Sequence, residues 1–289
     1  MDKIQPEIIT NPAALQERVS ALRAESKSIG LVPTMGALHY GHLSLVLASK
    51  EDNDVTVISI FVNPTQFAPG EEYEKYPRTL PDDIEKLAEI GGADIVFAPS
   101  PEAMYPKGFD ANVHVGGVTE VLEGKFRPTH FDGVATVVLK LFHLTRADRA
   151  YFGQKDFQQI AVVKKMAADL NVPIKIVSCP IIREPDGIAM SSRNRYLSKQ
   201  ERQDALVLSR SLMEAEKQIA EGERDAAVIC ADIRRKIEQI EGASVDYVVV
   251  ADPDTLAEME RVAGNVVILL AARIGSTRLI DNRVIAPKR

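Results

Sequence analysis

Two histidines stand three positions apart, in His39-Tyr40-Gly41-His42, directly after an apolar run and directly before a helical one. The full segment is Pro33-Thr34-Met35-Gly36-Ala37-Leu38-His39-Tyr40-Gly41-His42. A strand ends, glycines let the chain turn tightly, and a helix is expected from His42. Amides at a helix start lack intrahelical partners and attract phosphate. Two imidazoles at the same point can donate to phosphate oxygens. A surface pair or a helix cap is the plainer alternative. A zinc site is weaker, because His-Glu-x-x-His is absent and no third ligand stands nearby. A second patch, Phe152-Gly153-Gln154-Lys155-Asp156-Phe157-Gln158-Gln159, again runs from a strand through a glycine into a helix. Lys155 offers a point charge to phosphate. Asp156 either caps the helix or accepts hydrogen bonds from a ribose, and Gln159 lies one turn on, facing back toward the same pocket. The third patch is Met190-Ser191-Ser192-Arg193-Asn194-Arg195. Small hydroxyls with an arginine suit a loop that closes on phosphates, although such a loop alone reads equally as solvated surface.

Elements of two kinds must position these patches. Strand-like runs over 29–34, 55–62, 94–98, 149–152 and 173–178 alternate with helical patterns over 42–50, 82–90, 132–145 and from 156. In the third helix Val134, Val137, Val138 and Leu141 recur at helical spacing. This rhythm predicts an α/β domain with a Rossmann-like, doubly wound parallel sheet over 1–184, which binds ligands at the carboxyl ends of its strands. Beyond Pro185 two charged helical stretches, 199–221 and 224–240, precede strands at 245–250, 266–272 and 277–285. These predict a smaller α+β C-terminal domain over 185–289. The two glycine-hinged junctions are expected to converge on the triphosphate of one nucleotide.

Composition narrows the classes. The 289 residues suit two modest domains, and 45% hydrophobic with 26% charged residues is ordinary for a soluble globular chain. With 35 basic against 41 acidic residues the net charge is -6, so no global basic field invites nucleic acid. Cys179 and Cys230 match no zinc or redox spacing and read as reduced thiols of a cytosolic protein. No signal-peptide pattern and no membrane-length apolar run is present, so a soluble, cytoplasmic protein is expected. Gly-x-x-x-x-Gly-Lys-Ser/Thr, Gly-x-Gly-x-x-Gly and Gly-x-Ser-x-Gly are missing, which disfavours P-loop kinases, dinucleotide oxidoreductases and α/β-hydrolases.

Together the patches resemble the nucleotidyltransferase superfamily that includes class I aminoacyl-tRNA synthetases. His39 to His42 looks like its His-x-Gly-His signature, and Met190 to Arg193 like its Lys-Met-Ser-Lys-Ser loop with the first lysine replaced. The resemblance to pantothenate synthetases is much closer. It is carried by Thr34 to Val46, by Phe61-Val62-Asn63-Pro64-Thr65-Gln66-Phe67, by Arg127-Pro128-Thr129-His130-Phe131-Asp132-Gly133 and by Met190 to Arg195, in family order along the chain. Tyr40, Gln154 and Thr129 depart from it, standing where Glu, Glu and Gly are usual.

The resemblance implies a homodimer, an ATP site in the larger domain and a lid formed by the smaller one. By motif, Met35, Gly36, Ala37, Leu38, His39, Tyr40, Gly41 and His42 would contact ATP, with His42 catalytic. Gly153, Gln154, Lys155 and Asp156 would bind its phosphates and ribose, Ile182 its adenine through backbone. Met190, Ser191, Ser192 and Arg193 would close on the phosphates. Gln66 and Gln159 would hold pantoate, Gln66 also facing β-alanine, with Arg127 and His130 around the pantoate and amine site. The implied reaction joins pantoate to β-alanine through an acyl-adenylate. His42, Lys155 and Arg193 would offset phosphate charge together with Mg²⁺, which Asp82 and Asp83 would help place unless they are only first-turn acids of a helix after Pro81. Another small-molecule nucleotidyltransferase of the same superfamily is the alternative, though it has no evident use for the 63–67 and 127–133 patches. A non-catalytic nucleotide sensor would have no need for Lys155, Asp156 and Arg193 together.

Overall fold

The computed structural model describes residues 5–68, 71 and 73–286, and the chain divides into two units. The first comprises residues up to 154 together with 158–180, and the second 155–157 with 181 onward. The change of pattern expected at 184 therefore comes slightly earlier, and the short Lys155–Phe157 segment packs with the second unit.

Unit one carries six strands, β1 (Glu7–Ile9), β2 (Ile29–Thr34), β3 (Val55–Ile60), β4 (Ile95–Phe97), β5 (Arg149–Gly153) and β6 (Lys175–Cys179). Its helices are α1 (Pro12–Ala24), α2 (Tyr40–Asp52), α3 (Leu80–Glu89), the four-residue α4 (Pro101–Met104) and α5 (Glu123–Phe126), α6 (His130–Thr145) and α7 (Phe157–Asp169). The strands form one parallel sheet in the order β1-β4-β3-β2-β5-β6. Its central strands are mostly apolar because both faces are covered, with Thr56 and Ser59 buried among them. Val32 and Ile58 pack into a cluster with Leu43, Val46 and Leu87. Leu31 and Val57, one residue back and so on the opposite face, are also fully buried. Each such side chain contributes roughly 1.5–3 kcal/mol by leaving water.

The chain runs from β2 to β3 and β4 on one side, and from β5 to β6 on the other. The β2/β5 boundary is thus the switch point, where crevices open at the carboxyl ends of the strands. Gly30 pairs with Arg149 and Leu31 with Ala150. From that register both strands end level, at Thr34 and Gly153.

Five helix starts differ from expectation by one or two residues, including α3 at Leu80 rather than 82 and the second helix of unit two at Ala226 rather than 224. α2 begins at Tyr40, with His39 as its N-cap, and α6 begins at His130, behind Thr129. After Gly153 a 3₁₀ turn, Gln154–Asp156, precedes α7. α1 and β1 add to the elements that the sequence pattern predicts. The start signal of α1 is nevertheless plain, since Asn11 caps the amides of Ala13 and Ala14 just before Pro12.

Unit two contains α8 (Lys199–Ala220), α9 (Ala226–Glu238) and an antiparallel sheet of β7 (Ala243–Ala251), β8 (Val266–Ile274) and β9 (Thr277–Ile285) in that order. Ser198 and Glu201 form a capping box on α8, and Asp225 caps α9. The apolar stripes of both helices, including Leu212, Ile219, Ile229 and Ile233, share a core with Ile268 and Leu270 of the sheet.

One glycine marks a backbone-to-backbone contact. A Cβ on Gly133 would lie 2.3 Å from the Thr65 carbonyl oxygen, so α6 can press on the 64–66 turn only without a side chain there. Gly133→Ala should lower stability by about 1–3 kcal/mol, as overpacking does. Urea denaturation would measure the loss, and an unchanged midpoint would contradict the tight approach.

Candidate functional site

The loop from β2 to α2 is held from below by α3. Gly36 (φ 81) and Ala37 (φ 50) both adopt left-handed backbone, which costs a non-glycine residue roughly 1–2 kcal/mol. Asp83, wholly buried, offsets that cost. Its Oδ2 accepts from the Ala37 amide at 3.0 Å and the Thr79 hydroxyl at 3.2 Å, and its Oδ1 from the Leu38 amide at 2.7 Å. Lys86, one turn along α3, donates to the Leu38 carbonyl at 2.8 Å. The loop then delivers His39 and His42, whose rings stack with centroids 4.0 Å apart. The His39 amide donates to Nδ1 of His42 at 3.4 Å, which puts the proton of the neutral His42 ring on Nε2. Met35 and Gly41 are half-buried and Tyr40 is 56% exposed.

A second cluster surrounds Gln66. Asn63, buried in the 63–67 turn, donates to Gln66 Oε1 at 3.0 Å and to the Gly133 carbonyl at 3.1 Å. Its Oδ1 accepts from the Thr65 hydroxyl and from Tyr105 at 2.7 Å. Asn63 thus holds the side-chain carbonyl of Gln66. The Gln66 backbone carbonyl accepts from Arg127 at 3.2 Å and from His130 Nδ1 at 3.0 Å. Arg127 also forms a two-pronged pair with Glu71, at 3.0 and 2.9 Å, and that bond holds the Glu71 carboxyl below its usual range. His130 Nε2 faces Arg127 at 3.3 Å. Burial, then the Arg127 charge, lowers the His130 pKa from 6.5 to about 4. The ring is therefore neutral, donating through Nδ1 and accepting through Nε2.

Neighbouring glutamines on α7 are assigned different tasks. Gln158 is buried and donates to the Val118 and Val121 carbonyls, both at 2.8 Å, while accepting from the Glu123 amide at 2.9 Å. It fastens the 118–123 loop. Gln159 is half-buried and carries no such bond among those described. The task of Gln158 is not apparent from sequence, since nothing local distinguishes the two amides.

In unit two, Lys155, Ser191, Arg193, Asn194, Arg278 and Asp281 line an open cleft of about 360 Å³. Lys155 Nζ is 3.9 Å from Asp156, an exposed residue. The Lys155 carbonyl accepts from Asn282 of β9 at 3.0 Å. Residues 182–190 form a hairpin in which the Ile182 carbonyl accepts from the Met190 amide at 2.9 Å. The hairpin sets up the next loop. Ser191 caps the 3₁₀ turn Ser192–Tyr196 by accepting from the Arg193 amide, leaving Arg193 exposed. Asn194 pins the turn to the hairpin, donating to Glu184 at 2.7 Å and to the Ala189 carbonyl at 3.1 Å. Its buried Oδ1 has no partner among the described residues. The motif alone does not suggest this role for Asn194.

Of the alternatives open for Asp82 and Asp83, the geometry of Asp83 favours a role within the protein. Both Asp83 oxygens are taken by loop donors inside the protein, so that side chain serves the loop. Asp82 is exposed in the first turn of α3. Among the described residues no three His, Cys, Asp or Glu side chains gather as a cation cage. Asp82 is thus the one of the two whose carboxylate is open to solvent.

The neutral His130 ring generates a pH dependence. Its folded pKa lies below its unfolded value, so the stability it confers is complete above about pH 6.5 and is lost as pH falls toward 4. Denaturation midpoints should fall between pH 7 and pH 5.5 in the parent chain and less so in His130→Gln. Equal slopes in both proteins would remove His130 from the balance.

Comparison with known proteins gives one answer. The pantoate-beta-alanine ligase family profile matches residues 7–284. A pantothenate synthetase of Acetivibrio thermocellus is 57% identical over 257 residues, covering 89% of this chain and 91% of the relative. One from Moorella thermoacetica is 51% identical, covering 96% and 98%. The crystal structure of pantothenate synthetase from Thermus thermophilus superposes with a TM-score of 0.91 at 41% identity, covering 97% of this chain and all of that one. That of a Francisella tularensis pantoate-beta-alanine ligase, complexed with beta-gamma ATP and beta-alanine, gives 0.76 at 36%, covering 96% and 97%. On this footing the chain belongs to the pantoate-beta-alanine ligase family.

Proposed function

We propose that this chain carries out its family's reaction, the ATP-dependent joining of pantoate and β-alanine, with its residues in the following roles. The observation that carries the reading is the switch point. There β2 and β5 end level, one leading into the stacked His39–His42 pair and the other into the Gly153 junction. A pantoate carboxylate oxygen attacks the α-phosphorus of ATP, the bond to the β-phosphate breaks, and pyrophosphate leaves. The amine of β-alanine then attacks the acyl carbon of pantoyl-adenylate. It forms the amide, loses a proton and expels AMP.

Neither step needs a covalent enzyme nucleophile, so positioning and charge stabilisation supply the catalysis. His42, with its ring proton on Nε2, and His39 donate to phosphate oxygens. Lys155, Ser191, Ser192 and Arg193 offer charge and hydroxyls from the cleft of unit two, and Asp156 and the Ile182 backbone take the nucleoside. Gln66 and Gln159 hold pantoate through amide hydrogen bonds, and Gln66 also faces β-alanine. Arg127 and His130 act on this site by fixing the Gln66 backbone. Asp82 is the carboxylate that would face a magnesium ion bound with the nucleotide, and such an ion would supply charge neutralisation at the phosphates. A cytoplasmic homodimer completes the proposal. No helix among the described residues is long and apolar enough to cross a membrane, and light scattering on the purified chain would test the dimer.

The test is release of AMP that depends on both pantoate and β-alanine. AMP formed without regard to pantoate would defeat the reading. His42→Ala and Lys155→Ala should each lower turnover by on the order of 10²-fold, as loss of one transition-state donor does. Gln159→Ala should weaken pantoate binding instead. Near-normal turnover in the first two, or unchanged pantoate affinity in the third, contradicts the assigned roles.

A further inference from the structure

Helix α3 grips a single residue of the signature loop through the two peptide units that flank it. Asp83 accepts from the Leu38 amide and Lys86 donates to the Leu38 carbonyl. The two gripping residues lie three apart, on one face of the helix. Asp83 also takes the amide of Ala37, the non-glycine residue at φ 50, and its Oδ2 would lie 3.2 Å from a Cβ placed on Gly36. Leu38 is itself 2% exposed and its neighbour is His39. A buried carboxylate with three donors is costly to bring out of water and is well compensated only while all three stay in place. The left-handed pair, the buried acid and the lysine therefore stand or fall together, and the first thing they fix is where α2 and its histidines begin.

We infer that Asp83 and Lys86 are positioning residues for the ligation, acting through His42 by setting the backbone on both sides of Leu38, and that Asp83 does not hold the metal. This rests on the proposed role of His42. A shift of about an ångström in such a group is enough to cost up to about 10²-fold in rate.

The experiment is a double-mutant cycle on turnover. Asp83→Asn keeps the shape but loses one acceptor and turns an amide donor toward the loop. Lys86→Met keeps the aliphatic stem and, on a half-exposed residue, leaves folding intact. Each single variant should lower kcat about 10-fold or more with little change in the KM for pantoate. Lys86→Arg, which restores a donor, should recover part of the loss. In a His42→Ala background both changes should have little further effect, and the magnesium concentration for half-maximal rate should stay where it is in the parent. Normal kcat in Lys86→Met overturns the inference. So do effects that multiply fully with His42→Ala, or a raised magnesium requirement in Asp83→Asn. A His42→Ala variant with normal turnover would instead defeat the reading of His42 itself, a result distinguishable from the others. Should Asp83→Asn fail to fold, the Lys86 arm decides alone.

Discussion

The parallel pairing of β2 with β5 is the constraint on which unit one depends. Those strands belong to separate halves of the sheet, and their pairing places two strand-to-helix junctions side by side. A one-residue slip in register would turn Leu31 and Val32 to the wrong faces. Both faces are buried, so the slip would expose nothing, yet it would exchange side chains between two differently shaped cores. Packing specificity thus secures the register that brings Thr34 and Gly153 level. The chemistry at the carboxyl ends is inherited from apolar fitting below it.

Sequence patterns disclosed the frame because burial on both faces leaves a mark. The runs at 29–34 and 55–60 are nearly all apolar, and α6 shows Val134, Val138 and Leu141 at helical spacing. The glycine-rich junctions and the patches around Gln66, Lys155 and Arg193 were equally legible, because glycine, histidine and charge are rare in segments that only build cores. The rest was hidden for physical reasons. β1 is three residues long and borrows its stability from β4. Asp83 follows Pro81 in a first turn, where any acid is favoured. Only the fold brings it against a loop more than forty residues earlier in sequence. Gln158 and Gln159 look alike in one dimension, and a helical rotation of about 100° per residue sends one into the protein and leaves the other half-exposed.

Two buried side chains near the candidate site meet different partners. Asp83 sits in full burial, where the backbone amides of Ala37 and Leu38 and the hydroxyl of Thr79 surround it. His130 is buried against a guanidinium, so it gives up its charge. Each arrangement suits what the group holds. Two acceptor oxygens draw in amides and so curl a loop around the side chain. A neutral ring can donate to the Gln66 carbonyl and accept from Arg127 at once, which an imidazolium cannot do.

The buried Asp83 also bears on how phosphate is attracted. A glycine-bearing loop ahead of a helix ordinarily recruits anions with its own amides. Here the amides of Ala37 and Leu38 already have acceptors, supplied by α3. On the proposed reading, attraction for a nucleotide in unit one falls to the imidazoles. Amides offer the same donors to any anion, whereas side-chain donors can be set individually to match the oxygens of one reacting group. A loop arranged in this way gives up general affinity for phosphate and gains control over where each donor points. Under the proposed function, a site acting at the α-phosphorus, rather than one merely holding a triphosphate, requires that control.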